Sequence, residues 1–236
     1  MLIATRNAHK VGEIQAILGA AFQFLTLNDF PGAPQVSEDA DTFAGNATKK
    51  AVELARWIVG KHPTSNPSSV AALRRVDIQH PTPDFVLADD SGLEVDALHG
   101  APGVHSARFA ALDAHENSRD ADNNAKLLRL LQAVPLEKRT ARFRCVIALV
   151  PVPAGKIESA SPVCFADEFA AETFDGACEG RIQFSPGGHG GFGYDPLFVP
   201  DGYTQSFAEL GADVKNKLSH RAKALEKLKI ILTANP

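Results

Sequence analysis

The alternation of two hydrophobic periodicities constrains the fold of this 236-residue chain most strongly. The apolar run at 1–5 is typical of a short strand, and the apolar residues at 11–18 then recur at helical spacing. Strand and helix patterns alternate early, whereas the later strands follow one another more closely. This order predicts an α/β fold with an elongated, mixed β-sheet flanked by helices. Further helices are predicted at 42–60, 118–134 and 217–232, and further strands at 85–88, 141–150 and 163–176.

The charge balance and the cysteines argue against several classes of protein. The chain has 24 Lys and Arg against 28 Asp and Glu, a net charge of −4, so it lacks the basic field that holds nucleic acid. Its three cysteines, Cys145, Cys164 and Cys178, fit neither a disulfide framework nor paired zinc ligands. No apolar run has the length of a signal peptide or a membrane span. We therefore expect a cytoplasmic protein without nucleic-acid or membrane partners.

The polar stretch TRNAHK, residues 5–10, lies between the first predicted strand and the first predicted helix. It brings a hydroxyl, an amide and Lys10 to a helix N-terminus, where free backbone N–H groups and the helix dipole favour an anion such as phosphate. It is not a Walker loop, because the glycines and the GK[ST] ending are absent. Phosphate binding and an ordinary polar turn are both open at this stretch.

The acidic stretch DDSG at 89–92 follows the apolar run 85–88, so we expect a buried strand to end in carboxylates. Adjacent strand residues point to opposite faces, so one acid is expected to face a pocket while the other supports a turn. Such carboxylates suit a hard cation such as Mg²⁺ and the activation of water, and Glu38 offers a further oxygen. The alternative is an Asx turn formed by the Asp and Ser side chains.

Five glycines are concentrated in the stretch SPGGHGGFGYDP, residues 185–196. Glycine tolerates positive φ and lets the backbone approach a ligand closely. In this setting Phe192 and Tyr194 can offer ring faces to a planar base, and Asp195 can offer an acceptor to its edge. The alternative is a sharp turn without a ligand.

The stretch KNKLSHR places cations around the start of the last predicted helix. Ser219 is expected to cap this helix, with His220 and Arg221 in its first turn and Lys215 just before it. Cations at a helix N-terminus oppose the dipole and therefore require a negative or acceptor-rich partner. The alternative is that these side chains reach into solvent.

The chain resembles the inosine/xanthosine triphosphate pyrophosphatase family, the RdgB-like enzymes, in five stretches that occur in the family's order. The resemblance implies a Mg²⁺-dependent hydrolase that converts ITP, dITP and XTP to the monophosphate and pyrophosphate, which keeps deaminated purines out of DNA and RNA. It also implies two lobes with a central substrate cleft, a homodimer, and a single domain over 1–236 with a loop insertion at about 61–84. The stretches are ATRNAHKVGEI, SEDADTFAGNATKKA, ADDSGLEVDALHGAPGVHSARF, GGFGYDPLF and KNKLSHRAKAL.

The resemblance also implies roles for individual residues. Asp90 matches the family's proton acceptor and, with Glu38, its metal-binding acids. Residues 5–10 and Lys50 match the phosphate contacts, 192–195 the base-binding segment, and the KNKLSHR cations the groups that recognise the purine. The substrate-binding residues implied are Thr5, Arg6, Asn7, Ala8, His9, Lys10, Lys50, Ser91, Phe192, Gly193, Tyr194, Asp195, Lys215, His220 and Arg221.

Two departures from the family pattern accompany this interpretation. Arg6 stands where the family commonly has Gly or Asn, and its side chain either adds a cation to the phosphate site or points outward. Gly45 replaces an acid that is frequent in the family, so a secondary oxygen for the metal or for the helix start is absent at this position.

Two rival functions also stay open. One is a pyrophosphatase for another modified nucleotide, and the other is a sensor that binds nucleotides without turnover. The acids at 38 and 89–90 argue against the sensor, because a pure binder gains little from carboxylates beside a triphosphate.

Overall fold

A six-stranded mixed sheet organises the part of the chain that the computed structural model describes, residues 1–61, 82–111, 117–153 and 169–234. The strands are β1 (Leu2–Ile3), β2 (Leu25–Thr26), β3 (Phe85–Val95), β4 (Thr140–Pro151), β5 (Glu172–Ile182) and β6 (Phe198–Pro200). Their order in the sheet is β2-β1-β3-β4-β5-β6. β1 pairs in parallel with β2 and β3, and the remaining pairs are antiparallel. The predicted mixed sheet is therefore confirmed.

Helices cover both faces of the first half of β3 and of the second half of β4, which pairs with it. The helices are α1 (Ala8–Leu18), α2 (Phe43–Lys61), α3 (Asp120–Leu130), α4 (Phe207–Leu218) and α5 (His220–Ala234). α2 packs its buried stripe on one face, around Val86 and Ala88, while α1 and α5 pack on the other, around Leu87. Because alternate residues of a strand face opposite sides, this double cover explains the uninterrupted apolar run at the start of β3. None of these helices has the length and apolar character needed to cross a membrane.

The long strands β3 and β4 connect two parts of the core. Beyond the helix-covered half, Leu93 and Val95 of β3 enter a separate cluster with Phe143, Phe198 and elements of α3 and α4. The acidic stretch 89–92 lies on β3 between these clusters. The two lobes implied by the resemblance are thus joined by strands that carry the candidate site at their middle.

Several element boundaries differ from the sequence predictions, and one helix was not predicted. β3 does not end at its carboxylates but continues to Val95, because its second half pairs with β4 as regularly as its first. The strand predicted at 163–176 is described only from 169, and there β5 spans Glu172–Ile182. The sequence analysis also missed α4, which a capping box between Ser206 and Glu209 starts.

The predicted insertion at 61–84 falls largely on residues 62–81, which lie outside the described residues. The division of the chain into one domain with an insertion therefore stays a prediction.

Candidate active site

Asp89 is a buried anion surrounded by cations. It is 2% exposed and contacts the ammonium of Lys10, while the Arg221 guanidinium donates to it over 2.9 and 3.3 Å. The thiol of Cys145 donates to the same carboxylate over 3.1 Å. Burial acts to raise the pKa of Asp89, but Arg221 and Lys10 outweigh burial and hold it well below its usual range. Its ionised form is therefore favoured between these cations, which makes Asp89 a poor proton acceptor.

The two cations come from helices on the same side of the sheet. Asn7 caps α1 by accepting from the backbone N–H groups of His9 and Lys10 over 2.9 and 3.2 Å, which places Lys10 in the first turn. Arg221, in the first turn of α5, also contacts Glu13 and donates to the Ser91 hydroxyl over 2.8 Å. The cap predicted at Ser219 is confirmed by the Ala222 N–H, which donates to its hydroxyl over 3.2 Å.

Asp90 points to the opposite face of β3, toward α2. It accepts from the Asn46 side-chain amide and from the Ser91 backbone N–H, each over 3.0 Å. Burial raises its pKa to about 6, and the nearby charge of Glu38 acts in the same direction, whereas Lys10 and Lys50 act against it. A carboxylate with a pKa close to neutrality suits a general base. The predicted division of the two acids between opposite faces is thus confirmed, although no turn is involved.

Glu38 and Lys50 complete the side of the site that faces α2. The Lys50 ammonium contacts the Glu38 carboxylate and donates to the Asp89 backbone carbonyl over 3.2 Å. Within the described ranges no group of three or more His, Cys, Asp or Glu is placed to hold a metal. Glu38 and Asp90 nevertheless fit Mg²⁺, which keeps several waters and commonly takes only one or two protein carboxylates plus substrate phosphates.

A cavity of about 840 Å³ opens beside this pair. Lys50 and Glu38 line it, and Arg6 lies in its wall with a hydrogen bond of 3.3 Å to the Ala33 carbonyl. The remaining lining residues include three that the sequence analysis gave no role: His105, Arg108 and Asn117. Arg108 donates to the Glu38 backbone carbonyl over 3.1 Å and so fixes the loop that carries this acid. A basic residue inside the quoted stretch ADDSGLEVDALHGAPGVHSARF was the signal that could have found it.

A second cavity of about 420 Å³ lies between α1 and α4. Phe192 borders it, with its ring stacked on that of His9 at a centroid distance of 5.2 Å and an angle of 14°. The Lys215 ammonium lies 4.3 Å from the Phe192 ring centroid. The glycine-rich stretch thus does present one aromatic ring at a cavity.

The rest of the glycine-rich loop is anchored inward. Tyr194 is 3% exposed and donates its hydroxyl to the Ser106 carbonyl over 2.9 Å, so it does not offer the ring face that the sequence analysis expected. Asp195 accepts from Lys215 over 2.6 Å and from the Phe192 backbone N–H over 2.9 Å. Gly193 is tied to α3, since its N–H donates to the Asp120 carboxylate over 2.6 Å. Asp195 therefore holds the loop and Lys215 together.

Lys215, His220 and Arg221 are buried, so the alternative that these side chains reach into solvent is wrong. Lys215 bridges Asp195 and Glu13 over 2.6 and 2.8 Å. The His220 ring stacks on Phe143 at 4.8 Å, and burial followed by the charge of Arg221 lowers its pKa well below the usual range. In the part of the chain that the structure describes, the Nδ1 atom of His220 has no hydrogen-bond partner. His220 is therefore neutral and has one unused polar atom.

The structure gathers the candidate residues into three connected places. Thr5, Arg6 and Asn7 line the large cavity, whereas Ala8 and His9 line the small one, so a single loop borders both. Lys10, Ser91 and Arg221 form the buried network around Asp89 instead of lining either cavity. Neither cavity is lined by Tyr194, Asp195 or His220.

The site combines three features that suit the processing of a nucleotide. These are a strand with two adjacent acids, a polar cavity on one side and a cavity bordered by an aromatic ring on the other. The chain matches the model of the Ham1 family over residues 1–231 and belongs to that family. It is 45% identical to the dITP/XTP pyrophosphatase of Desulforamulus reducens over 98% of this chain and 94% of that protein. Its identity to the dITP/XTP pyrophosphatase of Geobacter sulfurreducens is also 45%, over 97% and 94%.

Solved structures have the same fold. The HAM1 protein of Coxiella burnetii superposes with a TM-score of 0.71 at 33% identity, covering 99% of this chain and 98% of that one. A nucleoside-triphosphatase / dITP/XTP pyrophosphatase from Mycobacterium abscessus gives a TM-score of 0.63 at 35% identity, covering 96% and 97%. The predicted α/β fold class and the family resemblance are therefore confirmed.

Proposed function

We propose that this chain is a Mg²⁺-dependent pyrophosphatase that hydrolyses ITP, dITP and XTP to the monophosphate and pyrophosphate. The observation that carries the proposal is the placement of loop 5–10, which borders a charged cavity at one end and an aromatic one at the other. One nucleotide can lie along this loop with its phosphates in the first cavity and its base in the second. The names of the relatives in Desulforamulus reducens and Geobacter sulfurreducens support this substrate class.

Cationic side chains hold the phosphates in the proposed enzyme. Arg6 and Lys50 line the large cavity, whereas Lys10 lines neither cavity and is paired with Asp89. Cations already fixed by the fold stabilise charge that builds on the leaving pyrophosphate without rearranging during the reaction. Cleavage between the α and β phosphates distinguishes this reaction from that of an ordinary phosphatase.

Asp90 accepts the proton of the attacking water. Glu38 and Asp90 would hold Mg²⁺, which when bound neutralises phosphate charge and orients water. In the metal-free protein the raised pKa of Asp90, about 6, leaves it ionised at neutral pH. Asn46 donates to one Asp90 oxygen over 3.0 Å and keeps the carboxylate oriented.

The base is selected in the small cavity. Phe192 provides a stacking surface and the Lys215 ammonium a donor beside it. The 6-oxo group of hypoxanthine or xanthine accepts such a hydrogen bond, whereas the 6-amino group of adenine does not. A mismatched adenine therefore leaves buried polar groups unpaired at about 1–3 kcal/mol each.

We further propose that the protein is a cytoplasmic homodimer and that each subunit is one domain over residues 1–236. The single family match over residues 1–231 supports one domain. The dimer and the compartment rest on the family resemblance, and gel filtration with light scattering tests the dimer.

A substrate panel tests the activity. The protein is incubated with Mg²⁺ and, separately, ITP, dITP, XTP, ATP, GTP and dTTP, and pyrophosphate and orthophosphate are assayed independently. We expect pyrophosphate from the first three, with much slower turnover of ATP and dTTP. Absence of turnover with every nucleotide would support a sensor, and faster cleavage of dTTP than of ITP would overturn the purine assignment.

A further inference from the structure

His9 has no role of its own beyond its membership of the phosphate-contacting loop, yet its position is well defined. Its backbone N–H donates to the Asn7 side chain over 2.9 Å as part of the α1 cap. Its side chain is exposed and stacks almost parallel on Phe192, with 5.2 Å between the ring centroids. Phe192 is equally anchored through its backbone, which donates to Asp195 over 2.9 Å. Two stacked rings on fixed backbones thus border the small cavity together.

The path of the proposed substrate passes this pair. Thr5 and Asn7 line the large cavity, and His9, two residues further along, lines the small one. A nucleotide whose phosphates contact the start of the loop therefore brings its base to His9. The Lys215 ammonium lies over the Phe192 ring, 4.3 Å from its centroid, and lines the same cavity.

We propose that the purine enters between His9 and Phe192, so that His9 is the second ring of an aromatic clamp. This inference rests on the proposed function. Two stacking intervals of about 3.5 Å need about 7 Å between the outer rings, so the rings part by about 2 Å to admit the base. Rotation of the exposed His9 side chain supplies this movement without a change in the backbone.

The clamp contributes affinity rather than discrimination. A ring stacked on the face of a base contacts hypoxanthine, xanthine and guanine alike, because all three have a planar π surface. The His9 clamp therefore strengthens the binding of substrate and transition state equally, which lowers KM and leaves kcat unchanged. Selection among bases stays with the polar groups of the cavity.

Three variants test the clamp: His9→Ala, His9→Phe and the matched control His189→Ala, which changes an exposed histidine of the glycine-rich loop. For His9→Ala we expect the KM for ITP and the Kd for IMP to rise about tenfold, with kcat changed less than about twofold. His9→Phe keeps the ring and should restore both constants, and His189→Ala should match the wild type. The ITP-to-GTP ratio of kcat/KM should stay constant throughout.

NMR of bound IMP reports stacking directly. The H2 and H8 protons should shift upfield on binding, and the shift should be smaller with His9→Ala than with the wild type or His9→Phe. An unchanged Kd for His9→Ala would overturn the clamp. A lower Kd would also overturn it, because it would mean that His9 occupies the place of the base. Since IMP binding needs no turnover, these results are independent of whether the wild type hydrolyses ITP, on which the proposed function depends.

Discussion

Asp89 and Asp90 are neighbours on one strand, yet the two sides of the sheet treat them in opposite ways. On the side of α1 and α5, Asp89 is neutralised by Lys10 and Arg221, and its pKa is held well below the usual range. On the side of α2, Asp90 has an amide partner and a second acid nearby, and its pKa is raised to about 6. The supply of buried cations, rather than the depth of burial, decides which acid is structural and which is reactive.

The Asp90→Asn variant is expected to have the largest effect, and it tests whether Asp90 is the reactive acid. We expect kcat for ITP to fall about a thousandfold, because an amide cannot accept the proton of water. The affinity for IMP should not fall. The Asn oxygen can accept from only one of Asn46 and the Ser91 backbone N–H, so the melting temperature is measured as the control for folding. Steady-state kinetics and calorimetry measure these quantities, and turnover near the wild-type rate would show that Asp90 is not the base.

The Asp89→Asn variant is expected to lose stability. It leaves the partly buried Lys10 and the buried Arg221 without their main anion, so we expect the free energy of unfolding to fall by about 3 kcal/mol. The matched control is Asp175→Asn, which breaks the exposed Asp175–Lys227 pair and should cost less than about 1 kcal/mol. Urea unfolding measures both, and equal losses for the two variants would contradict the structural role of Asp89.

The pH dependence of stability tests whether the pKa of Asp90 is raised. The pKa of Asp90 is higher in the folded than in the unfolded protein, so ionisation of Asp90 lowers the free energy of unfolding. This loss of stability is absent below about pH 4 and complete above about pH 6. In metal-free buffer, Asp90→Asn should therefore gain about 2 kcal/mol over the wild type between these limits. Urea unfolding at pH 4 and pH 7.5 measures the gain, and a gain that is the same at both pH values would exclude the raised pKa.

The smallest expected effect concerns the metal. Glu38→Gln should raise the Mg²⁺ concentration for half-maximal activity about tenfold, because it removes one of the two carboxylate charges. Asp41→Asn, a change at an exposed acid on the same loop, should have the wild-type requirement. EDTA should abolish ITP hydrolysis by all three proteins, and added Mg²⁺ should restore it. Activity that survives EDTA would remove the metal from the proposal.

Local sequence patterns predicted many of the residues of the site, but not which of them contact one another. The helix cap at Ser219 and the opposite orientations of Asp89 and Asp90 follow from rules that act over a few residues. The inward orientation of Arg221 could not be predicted in the same way, because its anion Asp89 is 132 residues away. Tyr194 was misplaced for a similar reason, since its partner Ser106 belongs to a distant turn.

The fold shows the same limit. The apolar run at 85–88 predicts the start of β3, but only pairing with β4 carries the strand through its polar middle to Val95. α4 was missed although a capping box begins it, because a kink at Gly211 with φ of 80° interrupts its helical pattern. Elements that depend on tertiary partners are the ones that a local pattern leaves out.

Anomalous scattering from Mn²⁺, in crystals grown with IMP and pyrophosphate, tests most directly whether Asp90 binds the metal while Asp89 is paired with cations. The account predicts a Mn²⁺ peak within coordination distance of Glu38 and Asp90, with Asp89 still paired to Lys10 and Arg221. A peak coordinated by Asp89, or one that touches neither Glu38 nor Asp90, would contradict it.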